Sequence, residues 1–250
     1  MTPPFETASH LKTSHGFFGR RGGISTGLYD SLNVSDAGGD DPGHVAANRA
    51  AIIEAMNFSG DALVLATQVH SNKVLDVAAR TSERPQGDAL VTAEPGILLG
   101  ILTADCIPVL FCDPVAGVVG AAHAGWKGAV EGIVGNTVEA MQKLGARPER
   151  ITAAIGPAIS GANYEVGPDF AAAITARNPA TAAFIFTPEG KREHFDLPGF
   201  VLSELDGLGL ASIESVGGCT YADPGRYFSH RYATHQGTTT GRQIAVIGMT

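Results

Sequence analysis

Three short segments of the chain each carry a metal-ligating side chain next to an apolar stretch. They are Gln68-Val69-His70-Ser71, Thr103-Ala104-Asp105-Cys106 and Ala122-His123-Ala124-Gly125-Trp126. Two imidazoles and one thiolate match a zinc site with three protein ligands, in which the open fourth position takes water or substrate. The sequence therefore predicts a catalytic zinc site at His70, Cys106 and His123, and the same three residues are the predicted catalytic residues.

The long spacing of these residues limits how they can meet. His70 lies 36 residues before Cys106, which lies 17 residues before His123, unlike the closely paired cysteines of structural zinc sites. Residues so far apart converge only where the ends of several strands come together. A single cysteine is usually a small buried residue, and a single histidine is usually a surface or core residue. We assign such ordinary positions to Cys112, Cys219, His10, His15, His44, His194 and His235.

The composition predicts a folded protein and excludes several classes of partner. Of the 250 residues 44% are hydrophobic, which suffices for a packed core, and no repeat or linker divides the chain, so we expect one domain over residues 1–250. The formal net charge of −8 argues against general binding to nucleic acid or to membrane surfaces. The chain shows no signal-peptide or membrane-spanning pattern, and its three cysteines form no disulfide framework. We expect a reducing, cytoplasmic location.

Hydrophobic periodicity predicts a mixed sheet with helices outside it. Asp41-Pro42 begins one predicted helix, and apolar residues spaced three and four apart predict a long helix from Trp126 to Leu144, with Gly145 after its end. Two further helices are predicted over 169–176 and 199–208. Short apolar runs separated by Gly, Pro and Asp predict strands. These runs span 62–69, 74–77, 89–91, 97–102, 107–111, 115–121, 151–155 and 243–247.

Several side chains are candidates for substrate contacts. Lys127 lies at the predicted start of the long helix, where the positive end of the helix dipole favours an anion. Arg20 and Arg49 are further candidate anion ligands, although each arginine is equally compatible with an ordinary surface charge. The loop Tyr164-Glu165-Val166-Gly167 is either a packed corner or a substrate contact.

The motifs occur in the order found in one known family. Besides the three ligand segments, they are His15-Gly16-Phe17-Phe18, Ser31-Leu32-Asn33, Asn48-Arg49, Asp88-Ala89-Leu90-Val91-Thr92, Ile155-Gly156-Pro157, Tyr164-Glu165-Val166-Gly167, Phe228-Ser229 and Gly241-Arg242. Over nearly its whole length the chain resembles the laccase-domain family, first called polyphenol oxidases and now regarded as zinc-dependent purine nucleoside phosphorylases. Two positions depart from the family pattern: Lys127 is commonly Arg there, and residues 229–232 are usually richer in Arg.

The resemblance implies a fold, an activity and substrates. The fold is an α+β four-layer αββα sandwich with mixed sheets, related to Cys/His deamidase toxins. The activity is phosphorolysis of adenosine, inosine, guanosine and S-methyl-5'-thioadenosine to base and sugar 1-phosphate, together with deamination of adenosine to inosine. The family's zinc ligands correspond to His70, Cys106 and His123. We expect Arg20, Arg49 and Lys127 to contact phosphate, and Asn33 and Tyr164 to contact ribose or base. The sequence is compatible with a monomer or a homodimer.

Three alternatives use the same residues differently. A metal-free cysteine hydrolase would employ Cys106 as nucleophile and one histidine as base, with Asp105 nearby. A copper-dependent polyphenol oxidase would hold Cu²⁺ in the same site, although the chain lacks the H-x-H pairs of a trinuclear copper cluster. A metal-responsive binding module would need a closed site, and the spacing suggests no fourth ligand.

Overall fold

The computed structural model describes residues 2–250. The strands within this range are β1 (Phe5–Glu6), β2 (Ser14–Phe18), β3 (Leu63–Leu65), β4 (Val74–Asp76), β5 (Ala89–Thr92), β6 (Leu98–Thr103), β7 (Ile107–Asp113), β8 (Val118–Ala124), β9 (Thr152–Ile155), β10 (Ile185–Phe186), β11 (His194–Phe195), β12 (Ser212–Ser215) and β13 (Gln243–Gly248). The helices are α1 (Pro42–Ala55), α2 (Trp126–Val130), α3 (Ile133–Lys143), α4 (Pro168–Arg177), α5 (Leu197–Asp206) and α6 (His230–His235). None of the helices in the described range is long and apolar enough to cross a membrane.

Most of the strands form two mixed sheets. The first has the order β1-β2-β13-β6-β3 and the second the order β12-β9-β7-β8-β5-β4. Antiparallel pairs such as β13 with β6 and β7 with β8 lie beside parallel pairs such as β3 with β6 and β12 with β9. The predicted mixed α+β architecture is therefore confirmed.

The alternation of side chains along each strand explains how the layers stack. On β13, Ala245 and Ile247 belong to the core between the two sheets, whereas Ile244 and Val246 pack on the opposite face with Ile52 of α1. The outer face of the second sheet packs against α3 and α5 in another buried cluster. Because side chains alternate between the faces of a strand, each sheet covers two cores. The layers follow the order helix, sheet, sheet, helix, as the αββα prediction requires. The relationship to deamidase toxins stays a prediction.

Two predicted elements differ from the observed ones. The predicted helix from Trp126 to Leu144 is interrupted, because Gly132 adopts a φ of +86° that an α-helix does not accept. The chain forms the five-residue α2 and the longer α3 instead. The predicted strand over 62–69 is regular only over Leu63–Leu65. Beyond an isolated bridge between Thr67 and Gln86, the backbone N–H groups of residues 69–71 bind the carboxylate of Asp88 rather than a neighbouring strand. The helix predicted at Asp41-Pro42 is confirmed, with the Asp41 side chain capping Gly43 and His44.

Candidate active site

His123 lies near the end of β8 on the face that points between the two sheets. This orientation follows from its register, since Val119 and Ala121 of the same strand belong to the core between the sheets. Its Nδ1 donates to Oδ1 of Asp88 at 2.9 Å, which leaves Nε2 as the nitrogen available to a metal. Burial alone would lower the pKa of His123, but the Cys106 thiolate and the Asp88 carboxylate raise it to about 9.

His70 lies in the loop between β3 and β4, and two neighbours hold this loop in place. The side chain of Gln68 exchanges two hydrogen bonds with the backbone of Leu102, both of 2.8 Å. The Asp88 carboxylate accepts from the backbone N–H groups of His70 at 2.9 Å and Ser71 at 2.7 Å. His70 itself adopts a φ of +59°, which is uncommon for a residue other than glycine. The hydrogen bonds of Gln68 and Asp88 therefore hold His70 in an irregular loop conformation that a helix or strand would not provide.

Cys106 occupies the turn between β6 and β7, and Asp105 shapes that turn. Asp105 has a φ of +87°, a strained conformation that needs support from its surroundings. Its carboxylate supplies that support by accepting from the Thr220 hydroxyl at 2.7 Å and from the Arg231 backbone N–H at 2.6 Å. Burial would raise the pKa of the Cys106 thiol, but the two histidines, His123 above all, lower it to about 6. Cys106 thus favours the thiolate form that ligates metals.

The three predicted ligands lie together and fit a tetrahedral metal ion. Their donor atoms are all within 4.8 Å of one another, and Cys106 Sγ lies 3.8 Å from His70 Nε2. Bonds of about 2.3 Å to sulfur and about 2.0 Å to nitrogen imply a sulfur–nitrogen separation of about 3.5 Å at a tetrahedral angle. Gly125 leaves the necessary space, because a Cβ there would lie 2.6 Å from His70 Cδ2 and 3.2 Å from Cys106 Sγ. The cluster can bind a metal ion, and its donors suit zinc or copper.

Two cavities meet at this cluster. His70, Ala104, Cys106 and His230 border both of them. Most residues that line the larger cavity, of about 500 Å³, have polar side chains, whereas the smaller cavity, of about 230 Å³, has more aromatic and aliphatic residues in its lining. The larger is also lined by Gln68, Thr103, Arg84 and Arg242, and the smaller by Trp126, Ile159, Tyr164, Leu197 and Arg231.

The larger cavity carries positive charge on two arginines. Arg242 donates to the carbonyls of Thr240 and Gly241 and forms no ion pair within residues 2–250. Burial lowers the pKa of Arg242, and the charges of Cys106 and Asp105 partly offset that effect. Arg84 binds Asp36 at 2.7 Å, but Asp36 also binds Arg49 at 2.9 Å. One carboxylate therefore faces two guanidinium groups, so this wall keeps a net positive charge suited to an anion.

The predicted substrate contacts occupy different positions. Tyr164 lines the smaller cavity, where burial raises its pKa well above the usual value. Arg20 donates to the carbonyls of Asp30 and Pro224 and lies over the ring of Phe228. The other four predicted substrate contacts line neither of these two cavities: Arg20, Asn33, Arg49 and Lys127. Their roles in substrate binding stay predictions.

Three of these four residues nevertheless have clear structural contacts. Asn33 is fully buried, and its side-chain oxygen accepts from the backbone N–H of Arg242 at 2.9 Å. Arg49 binds Val34 and Asp36, behind the wall of the larger cavity. Arg20 joins two loops through the carbonyls described above. Asn33 and Arg49 thus support residues that face the cavity.

Four residues at the site were not predicted as site residues from the sequence: Asp88, Arg84, Arg242 and His230. Two of them carried a recognisable signal. Asp88 is a charged residue directly before the buried strand β5, and Arg242 follows Gly241 directly before β13. Arg84 and His230 lie in segments without a periodic pattern, so only their position in the fold brings them to the cavities.

Several known proteins are similar to this chain over most of its length. The family described as multi-copper polyphenol oxidoreductase laccase matches residues 14–250. A Deinococcus radiodurans relative named purine nucleoside phosphorylase is 47% identical over 247 residues, covering 98% of this chain and 93% of the relative. Purine nucleoside phosphorylase YfiH of Escherichia coli is 35% identical, covering 91% and 90%. Crystal structures of a Neisseria meningitidis protein (TM-score 0.87, 31% identity) and of Geobacillus stearothermophilus YlmD (0.84, 30%) each match over 98% of both chains.

Proposed function

The chain belongs to the family of multi-copper polyphenol oxidoreductase laccases, and from this premise we propose that it is a zinc-dependent purine nucleoside phosphorylase. It converts adenosine, inosine, guanosine or S-methyl-5'-thioadenosine and phosphate to free base and sugar 1-phosphate, and it deaminates adenosine to inosine. The names of the relatives support the phosphorylase activity. The observation that carries the proposal is the donor cluster of His70, Cys106 and His123 between a cationic and an aromatic cavity.

In this proposal the larger cavity binds phosphate and the smaller cavity binds the purine base of the nucleoside. Phosphate lies in the larger cavity against Arg242 and Arg84, because charge-assisted bonds to guanidinium groups favour phosphate oxygens. The Thr103 hydroxyl in the same wall is buried and has no hydrogen-bond partner within residues 2–250, so it is available to a polar ligand. The purine ring lies in the smaller cavity against Trp126 and Tyr164, whose aromatic faces suit a flat heterocycle. The ribose then lies at the junction.

The residues around the donor cluster hold it ready for a metal. Asp88 binds the Nδ1 proton of His123, so that a metal ion would displace the proton of Nε2, and a pKa of about 6 favours the thiolate form of Cys106 at neutral pH. A zinc ion bound to the three donors would supply a Lewis acid that lowers the pKa of water, as hydrolytic deamination requires. His70 and Cys106 border both cavities, so the cluster adjoins a nucleoside that spans them.

Product analysis of the purified protein tests this function. Adenosine incubated with phosphate should give adenine and ribose 1-phosphate, and inosine should form with or without phosphate. Both activities should disappear on chelation and on Cys106→Ser substitution, and should survive Cys219→Ala, which changes a cysteine outside both cavities. Adding back zinc or copper, with a phenol as a further substrate, identifies the working metal and the alternative oxidase. Metal-loaded protein that forms neither base nor inosine would refute the proposal.

One observation favours a second candidate, a metal-free cysteine hydrolase. His123 lies between Cys106 and Asp88 and is hydrogen-bonded to both, which is the arrangement of nucleophile, base and orienting carboxylate that such enzymes use. His70 is the additional ligand that this mechanism does not require. Hydrolase activity that survives complete chelation but is lost in Cys106→Ser, and is unaffected by His70→Ala, would support this candidate over the phosphorylase.

A further inference from the structure

A histidine outside the donor cluster borders both cavities. His230 shares this position only with Ala104 and the ligands His70 and Cys106 among the residues that line the two cavities. On the basis of the proposed phosphorylase function, we propose that His230 is the catalytic residue that donates a proton to the departing purine base.

The backbone holds His230 firmly at the cavity junction. It is the first residue of α6, whose N-terminus is capped by the Ser229 hydroxyl, which accepts from the Tyr232 N–H at 3.1 Å. The next residue, Arg231, donates its backbone N–H to the Asp105 carboxylate at 2.6 Å. The same carboxylate supports the turn that carries Cys106. The residue after His230 is therefore hydrogen-bonded to the residue before Cys106.

The side chain of His230 is available, whereas its neighbours are already engaged. No group within residues 2–250 hydrogen-bonds to its ring, although its carbonyl accepts from Thr234 Oγ1 at 2.8 Å. His70 and His123 serve as ligands in the proposed function, and both Asp105 carboxylate oxygens accept hydrogen bonds.

The remaining titratable groups of the two walls do not exchange protons readily at neutral pH. They are Asp36, Arg84, Tyr164, Arg231 and Arg242. Asp36 pairs with two arginines, burial raises the pKa of Tyr164 far above neutrality, and guanidinium groups do not release protons. Among the residues that line these walls, His230 is the one unengaged side chain of a type that commonly serves as a general acid in enzymes.

The proposed step balances without another reactant. An oxygen of HPO₄²⁻ forms a bond to C1' of the ribose while the C1'–N9 bond breaks and its electron pair passes to the base. The His230 imidazolium gives its proton to N7 of the base, which leaves neutral. The newly esterified phosphate then returns its own proton to His230, so the products are free base, ribose 1-phosphate dianion and imidazolium.

Two substrates separate this role from a structural one. Inosine needs a proton on its departing base, whereas 7-methylinosine carries a fixed positive charge and leaves without one. His230→Gln should therefore lower kcat for inosine about 100-fold and leave kcat for 7-methylinosine and the zinc content nearly unchanged. In His230→Ala, added imidazole should restore inosine turnover. His235→Gln, on the same helix but outside both cavities, is the matched control and should leave both substrates unaffected.

The outcomes distinguish this proposal from the function on which it rests. An equal loss on both substrates, or full inosine turnover by His230→Gln, would overturn the role of His230 and leave the phosphorylase proposal intact. Failure of the unaltered, zinc-loaded chain to cleave either substrate would overturn both. Thermal melting of each variant and rescue by imidazole show whether a loss of activity reflects unfolding.

Discussion

The carboxylate of Asp88 accepts a hydrogen bond from His123 Nδ1 at 2.9 Å and, through the same oxygen, one from the backbone N–H of His70 at 2.9 Å. Asp88 is fully buried, and burial would raise its pKa, but hydrogen bonds from His123 and Ser71 hold the pKa well below its usual range. One buried carboxylate therefore positions two of the three donors, one on a strand and the other in a loop.

Asp88→Asn tests this arrangement. The amide NH₂ would face N–H donors, so at least one hydrogen bond would be lost and His123 would be less well oriented. Loss of such a supporting residue typically weakens metal binding about 10- to 100-fold. Competition with a chromophoric chelator measures the affinity. Asp113→Asn is the matched control, since Asp113 is equally buried but distant from the cluster. Equal zinc affinity in both variants would contradict this role for Asp88.

Gly125→Ala tests whether the space beside the cluster is required. Its backbone, at φ −71° and ψ 162°, accepts alanine, but the new Cβ would lie 2.6 Å from His70 Cδ2. The His70 ring must then move, and we expect loss of bound metal and of activity with the fold retained. Gly167→Ala is the control: Gly167 also caps a helix in an extended conformation, and a Cβ there meets nothing within 4 Å. Stoichiometric zinc in Gly125→Ala would show that the ring position is unimportant.

Much of the fold and of the donor cluster could be predicted from the sequence. Long periodic or apolar segments such as α1, β6 and β13 are specified by their own residues, and their positions agree with the predictions. The ligand residues are recognisable because histidine and cysteine at the ends of apolar runs are chemically distinctive. The three ligands lie together in the structure. The apolar runs beside them form neighbouring strands, or lead into the same edge of the sandwich.

The remaining features depend on contacts between distant residues. Strand β2 was not predicted, because Ser14, His15 and Gly16 give it little apolar character, and it exists through pairing with β13 at the other end of the chain. The break at Gly132 depends on a single backbone angle. The cationic wall depends on Arg84 and Arg242, which are 158 positions apart in the sequence. Local patterns contain no information about such pairings.

Asp113 predicts a specific acid sensitivity. Its oxygens accept from the N–H groups of Val115, Ala116 and Arg147 and from the Arg150 guanidinium. Burial would raise its pKa, but these bonds lower it. A lowered folded-state pKa means that the stabilisation is present above the unfolded pKa and is lost as pH falls through the folded value.

Asp113→Asn should therefore destabilise the protein at pH 7 by about 2–3 kcal/mol, because several buried donors lose their charged acceptor. Urea unfolding should show this difference at pH 7 and a progressively smaller one as the pH falls from about 3.9, the pKa of an unfolded aspartate, through the lower folded-state pKa of Asp113. A constant difference across this range would refute the assignment of the acid sensitivity to Asp113.

The reactivity of the cysteines should reflect their environments. After removal of metal, Cys106 should be alkylated by iodoacetamide with a midpoint near pH 6, because His123 and His70 lower its pKa to about 6 against the effect of burial. Cys112 should stay unmodified, since it is buried and burial raises its pKa to about 11. Peptide mass spectrometry identifies the labelled residue. Zinc should protect Cys106, and labelling unaffected by zinc would argue against Cys106 as a ligand.

Arg242 and Arg49 offer a direct comparison between the structural and the sequence-based assignments of the phosphate site. Arg242 lines the larger cavity without an ion pair in the described range, whereas Arg49 lies behind Asp36. Arg242→Gln should raise the KM for phosphate about 10- to 100-fold, because a charge-assisted hydrogen bond contributes about 1.5–3 kcal/mol.

Deamination of adenosine provides the internal control for this comparison, since it uses no phosphate and should be nearly unchanged in Arg242→Gln. Arg49→Gln should alter the KM for phosphate much less, because Arg49 does not line the cavity and affects it only indirectly, by pairing with Asp36, which also binds Arg84. Steady-state phosphorolysis at varied phosphate measures both variants. A larger effect in Arg49→Gln than in Arg242→Gln would assign the anion site to the first helix, because the guanidinium nearest the phosphate contributes the stronger bond.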